Sequence, residues 1–177
     1  MKNPPEGFTL IEFMVAISIV IVIAMVAIPG FSSAMRGSDV TAAANELIGG
    51  INLARMEALR RGYPVVLCSL VSNNQACADT TTWNNGILIW RDNDSNGSYS
   101  ANFSAPEQIG MIRFSADSGV TVSINPEVAA FQFDAQGRVS QNEIFCITKQ
   151  DYTIQVTLNT MGIASKCVVG DNNCNGC

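Results

Sequence analysis

The sequence predicts an α+β protein: a long N-terminal α-helix, transmembrane in its first half and amphipathic in its second, packed on an antiparallel β-sheet or β-sandwich domain. Three observations predict it. The run from Phe13 to Phe31 contains one hydroxyl, Ser18, and no charge. As a helix it reaches about 28 Å, close to the ~30 Å hydrocarbon core of a bilayer. From Ser38 the apolar positions Val40, Ala44, Leu47, Ile51, Ala54 and Ala58 recur at alternating spacings of four and three, which is one face of a helix continuing to about Arg61. Beyond Tyr63 the period becomes two and β-forming residues dominate.

The first element begins oddly for a secreted chain. Met1 to Gly7 is a short polar leader with one lysine, and no small-residue cleavage site follows the apolar run, so an ordinary secretory signal fits poorly. Cleavage before the run instead leaves the helix on the mature protein, with a new amino group at Phe8. Glu12 stands at the edge of the same run, where a carboxylate costs at least ~2.5 kcal/mol in hydrocarbon unless it finds a partner. A like helix, offset along its axis, brings the amine of one subunit to the carboxylate of another and neutralises both charges.

These residues closely resemble the signature of type IV prepilins and pseudopilins. In that family a glycine precedes the cut, an N-methylated aromatic follows it, and a glutamate sits at the fifth mature position; here these are Gly7, Phe8 and Glu12. Thr9, Leu10 and Ile11 match the residues between, and Pro29 matches the place of a kinking proline. The resemblance implies cleavage between Gly7 and Phe8 by a prepilin peptidase, methylation of Phe8, and assembly through Thr9, Glu12 and Pro29. The expected segments are then a leader at 1–7, a transmembrane and filament-core helix at 8–31, its amphipathic continuation at 32–61, and a β-rich periplasmic or extracellular domain at 62–177.

Along the second half of the helix, Asp39, Asn45, Glu46, Asn52, Arg55, Arg60 and Arg61 form the outer face. Gly49-Gly50 costs helix propensity of ~1 kcal/mol per glycine, which packing must offset, and leaves room for close approach by a strand. Arg60, Arg61 and Gly62 provide the stop, with basic side chains near the carbonyl end and a glycine just past it. Strands are expected at 63–71, 86–91, 108–114, 120–125, 129–134, 144–148, 153–158 and 162–168, with Asp117-Ser118-Gly119, Asn125-Pro126 and Asp134-Ala135-Gln136-Gly137 as turns. Phe131 and Phe133 alternate with Ala130 and Gln132, so an aromatic face points inward. A long helix followed only by strands, with an early Cys68-to-Cys77 loop, Trp83 and the strand Gly86–Trp90, resembles the GspH-like and FimT/FimU-like minor pilins.

Composition narrows the function. No histidine is present, which removes imidazole bases, His-based triads and the commonest metal ligand. Lys and Arg number 10 against 15 Asp and Glu, and the whole excess of negative charge lies beyond Arg61. An acidic body does not advertise nucleic-acid binding. No phosphate loop or nucleophile elbow occurs, and acidic residues are scattered through turns, so no enzyme and no cofactor are expected.

Six cysteines, Cys68, Cys77, Cys146, Cys167, Cys174 and Cys177, read as disulfides in an exported domain. Cys68 with Cys77 closes a short loop. Cys146 and Cys167, on neighbouring strands, bridge each other or the C-terminal tail, and Cys174-Asn175-Gly176-Cys177 reads as a terminal staple rather than a redox or zinc motif. Asp92-Asn93-Asp94-Ser95-Asn96-Gly97 has the spacing of the first half of a calcium loop, but Phe103 stands where the bidentate glutamate belongs. A polar hairpin tip is the expected reading there, with calcium on Asp92, Asp94 and Asn96 as the alternative and no other metal site.

The expected function is that of a minor type IV pilin, a structural subunit that joins the pilus, at its tip or priming complex, and supports assembly. Its partners are then other major and minor pilins through helix packing, the prepilin peptidase, and the inner membrane before assembly; the mature protein lies in the pilus on the cell surface. The first alternative is the H-type pseudopilin of a type II secretion system. The second is a DNA-binding FimT-like pilin of natural transformation. Such pilins resemble one another in a basic Gly-Arg-x-Arg motif. This chain has Gly137-Arg138-Val139-Ser140 instead, with Lys166 further on, so DNA is not expected as a partner and Arg138 and Lys166 are the residues to test for it.

Overall fold

The structure, a computed structural model, describes residues 7–71, 76–78, 80–91, 108–114, 118–170, 174, 176 and 177; within the first helix the side chains of residues 26–34 are not described. The leader residues before Gly7 and the calcium-loop residues Asp92, Asp94 and Asn96 lie outside this set. Among the described residues one helix, α1 (Leu10–Arg61), precedes eight strands. These are β1 (Val65–Ser69), β2 (Ile87–Arg91), β3 (Gln108–Ile112), β4 (Thr121–Asn125), β5 (Ala130–Phe133), β6 (Glu143–Lys149), β7 (Tyr152–Leu158) and β8 (Ala164–Val168). The chain divides into two compact units, Met1–Arg36 and Gly37–Cys177.

In the second unit the strands form two four-stranded antiparallel sheets, ordered β3-β2-β1-β5 and β4-β6-β7-β8. A period of 3.6 on α1 and of 2 on the strands turns their apolar residues to one place. Val40, Ala44, Leu47, Ile51, Ala54 and Ala58 of α1 are wholly buried, in one core with Leu67, Ile89, Phe133, Phe145, Ile147 and Val156. Strand β5 alternates as expected, with Phe131 and Phe133 inward and Ala130 and Gln132 exposed. Strand β1, by contrast, is buried along its entire length. Its other face, Val66 and Cys68, joins Leu88 and Trp90 in a second, smaller core. A strand covered on both sides has no polar face to show, which is why Val65-Val66-Leu67 reads as a continuous apolar run.

Gly50 marks the close approach of helix and sheet. A Cβ there would fall against the Ile112 Cδ1 of β3, whereas one on Gly49 meets nothing within 4 Å. The second half of the helix is also tied to two strands and to the β5–β6 turn. Lys149 Nζ reaches Asp39 at 2.5 Å, Lys166 Nζ donates to Asn45 Oδ1 at 2.6 Å, and Arg55 Nε donates to the Gly137 carbonyl at 3.2 Å.

Trp83 joins the two sheets. It is fully buried, its Nε1 donates to the Val128 carbonyl at 3.0 Å, and its ring lies 5.9 Å from Phe131 and 5.7 Å, edge on, from Phe145. The neighbouring backbone follows it. Trp83 N donates to the Val122 carbonyl, and Val122 N donates to Asn84 Oδ1 at 2.7 Å, so the segment before β2 covers the free edge of β4. A buried indole with its N–H satisfied supplies large apolar area without an orphaned donor.

Candidate functional site

Four of the residues expected from the sequence to act in processing and assembly, Gly7, Phe8, Thr9 and Glu12, stand at the start of α1. Thr9 is the N-cap of the helix and Glu12 is its third residue. The Thr9 backbone N–H and its hydroxyl both donate to Glu12 Oε2 at 2.9 Å, and Glu12 N donates back to Thr9 Oγ1 at 3.3 Å. This is a reciprocal capping box, in which two orphan N–H groups of the first turn are satisfied. The signal was in the sequence as Thr-x-x-Glu before an apolar run, but reading Thr9 only as an assembly residue passes over it.

Around the box the apolar side chains are exposed. Phe8 is 93% exposed and Phe13 65% exposed, and the same holds, to a lesser degree, through Met25. The one hydroxyl, on Ser18, donates to the Val15 carbonyl at 2.7 Å, so the run carries no unsatisfied polar side chain between Phe13 and Met25. Ile11, Glu12, Val15, Ala16 and Ile19 line a shallow groove of about 330 Å³ along one helix face. Gly7 has open space where a side chain would project. Pro29 falls inside α1, among the residues whose side chains are not described. Among the described residues no helix is long and apolar enough to cross a membrane.

The six cysteines are all bridged: Cys68–Cys77, Cys146–Cys177 and Cys167–Cys174. Cys146 of β6 and Cys167 of β8 therefore both pair with the tail, and Cys174 and Cys177 do not pair with each other. Among the described residues no group of three or more Cys, Asp or Glu is placed to hold a metal ion.

Arg138 and Lys166 are not brought together in one site. Arg138 is exposed in the β5–β6 turn, where Asp134 Oδ1 accepts the backbone N–H groups of Gln136 and Arg138. With Gln132, Asp134, Val139, Ser140, Thr160 and Met161 it lines a cleft of about 470 Å³. Lys166 does not line that cleft; its ammonium is held by Asn45 on the helix.

Comparison with known proteins agrees with this arrangement. The prokaryotic N-terminal methylation motif matches residues 4–28, and the family described as type II transport protein GspH matches residues 43–162, about two thirds of the chain. Two crystal structures of the type IV minor pilin FimU of Pseudomonas aeruginosa, in different crystal forms, share the fold at 19% sequence identity. Their TM-scores are 0.55 and 0.53, and each match covers 72% of this chain, with 87% and 91% of the FimU chain. No curated protein matches the chain. With a methylation motif on an exposed apolar helix start, and a helix-on-two-sheets body matched along most of its length, the chain belongs to the GspH family of type II transport proteins.

Proposed function

We propose that this protein is a minor type IV pilin, a structural subunit that enters the inner membrane by residues 8–31, is cut after Gly7, methylated at Phe8, and joins a filament through its helix. The observation that carries the reading is the combination at the helix start. A row of exposed apolar side chains, Phe8 to Met25, is interrupted by a single charge, Glu12, whose Oε1 has no partner among the described residues while Oε2 is held in the capping box. Helices of like character bury such a row by packing with one another, and small residues such as Ala16 let them approach. The free oxygen of Glu12 is then available to the amine of a neighbour's Phe8, and the attraction fixes the axial register. A carboxylate paired in this way no longer costs what a lone one does in an apolar bundle.

In this reading the body, stapled by three disulfides, stands in the periplasm before assembly and on the cell surface after it. Other pilins and the prepilin peptidase are the partners. No enzymatic activity and no cofactor are proposed, and DNA is not proposed as a partner because Arg138 and Lys166 occupy separate sites.

The name of the family supports a second reading, the H-type pseudopilin of a type II secretion system. The two separate in cells carrying a tagged copy of the chain. Recovery in filaments sheared from the surface, lost when the major pilin is deleted, is the expected result. Recovery that persists without the major pilin, and vanishes when the type II secretion machinery is deleted, supports the second reading.

A further inference from the structure

The outward face of the second sheet is not open. On β6 and β7 the side chains of Phe145, Ile147, Ile154 and Val156 turn to the core, and Ile144, Cys146 and Gln155 turn the other way. Yet Gln155 is only 6% exposed. What covers it is the segment ending at Cys177. Gly176 N donates to Gln155 Oε1 at 2.8 Å, while Gln155 Nε2 donates to Thr157 Oγ1 at 3.0 Å, so the buried carboxamide has a partner at each end. Gly176 lies so close that a Cβ there would stand 2.9 Å from Ile144 Cδ1 and 3.1 Å from Gln155 Nε2. Two bridges hold the segment down, Cys167–Cys174 from β8 and Cys146–Cys177 from β6.

The three bridges of the protein differ in access. Cys68 is wholly buried and Cys174 is 4% exposed, so each of their bridges has one shielded half. Cys177 alone among the six cysteines is exposed, and Cys146 is half-buried. Thiol–disulfide exchange requires a thiolate to approach a sulfur in line, so accessible bridges open first.

We infer that Cys146–Cys177 is a reducible clasp over the outer face of the second sheet, opened by a dithiol while the other two bridges stay closed. The thiolate of the dithiol attacks Cys177 Sγ and forms a mixed disulfide, and Cys146 leaves as a thiolate and takes up a proton. The second thiol of the reductant, as its thiolate, then attacks its own sulfur in the mixed disulfide. Cys177 is released as a thiol, the reductant departs as a disulfide, and two electrons have passed to the protein. Gly176 is then free to leave Gln155, and Ile144 and the Gln155 carboxamide meet solvent. Cys167–Cys174 keeps Cys174 in place, and the core on the opposite face of the sheet is untouched, so the opening is local. The inference stands whichever filament the protein joins.

The full chain in detergent micelles tests it. Graded dithiothreitol followed by alkylation and peptide mass mapping is expected to label Cys146 and Cys177 about tenfold faster than Cys68, Cys77, Cys167 and Cys174. Hydrogen exchange on that partly reduced protein is expected to speed up at the Gly176 amide and remain unchanged in the β6–β7 ladder. A Cys146→Ser, Cys177→Ser double variant is expected to show the same exchange pattern with no reductant added. Labelling of either other bridge, Cys68–Cys77 or Cys167–Cys174, at the same rate or earlier overturns the inference. So does a Gly176 amide that stays protected once the bridge is open, or exchange that spreads through β6 and β7.

Discussion

Thr9 and Glu12 hold each other at the start of the helix, through two hydrogen bonds of 2.9 Å to one carboxylate oxygen and one of 3.3 Å in return. The carboxylate thus has two tasks. Inside the chain it caps its own helix, and in the proposed assembly its other oxygen meets a neighbour's amine. The tasks come apart by substitution. Thr9→Ala is expected to cost about 1 kcal/mol of local helix stability, read as faster exchange of the amides of the first turn, while processing continues. Glu12→Val is expected to be cut normally and yet be depleted from filaments. A bulky residue at Gly7 is expected to leave the uncut form in the membrane, because the peptidase must approach the backbone there. Normal filament incorporation of the Gly7 and Glu12 variants together would sink the assembly account.

Two glycines predict opposite signs. Gly49 lies exposed inside α1 with nothing within 4 Å of a would-be Cβ, so Gly49→Ala is expected to stabilise the protein by about 0.5–1 kcal/mol. Gly86 has φ +121° and a Cβ there would meet the Ile112 carbonyl oxygen, a backbone atom that cannot swing away. Gly86→Ala is expected to destabilise by about 2–4 kcal/mol. Thermal melts of both variants of the full chain in micelles check the pair, and equal melting temperatures would contradict it.

Glu143 makes stability depend on pH. Its side chain is 1% exposed at the start of β6, Oε1 accepts from Gln141 Nε2 at 3.1 Å, and Oε2 has no hydrogen-bond partner among the described residues. Burial pushes its carboxyl above the ordinary value, and the bond from Gln141 opposes that rise. The folded protein therefore prefers the protonated acid more than the unfolded chain does. Its contribution is fully present below the unfolded pKa and is lost as pH rises through the folded one. Urea melts of wild type and Glu143→Gln across that range are expected to converge at the acid end and diverge above it, with the wild type falling. A constant difference between them would count against the burial argument.

DNA binding is expected to be absent at physiological salt. Arg138 lines a cleft that also holds Asp134, and Lys166 is committed to Asn45, so among the described residues these two cations build no joint patch to follow phosphates. A mobility-shift titration with duplex DNA checks this. Micromolar binding that weakens in both Arg138→Ala and Lys166→Ala would make the protein a DNA-capturing pilin.

Much of the fold was legible because it rests on periodicity. The buried stripe from Val40 to Ala58 and all eight strands follow from spacing alone, and the observed strand limits differ from the expected ones by a few residues at the ends. Sheet order was not legible, since pairing β1 with β5, across more than sixty residues, depends on the path of the chain and not on local pattern. Nor was the pairing of four of the cysteines. Cys146 lies on β6 and Cys167 on β8, with β7 between them, so the sheet itself separates two residues that the sequence places on neighbouring strands. Glu143 was unremarked because a single acid at a strand start looks solvated until the neighbours that bury it are known. At the helix start the sequence offers Thr9 and Glu12 only as separate residues, and the capping box between them is what their geometry adds.

The most direct test is the amino terminus of the protein as it occurs in filaments sheared from the cell surface, read by intact-mass and peptide mass spectrometry. The account predicts a chain that begins at Phe8 with a single methyl group on its amine and carries six oxidised cysteines. A chain that still begins at Met1, found in the membrane fraction and missing from the filaments of cells that make it, would contradict it.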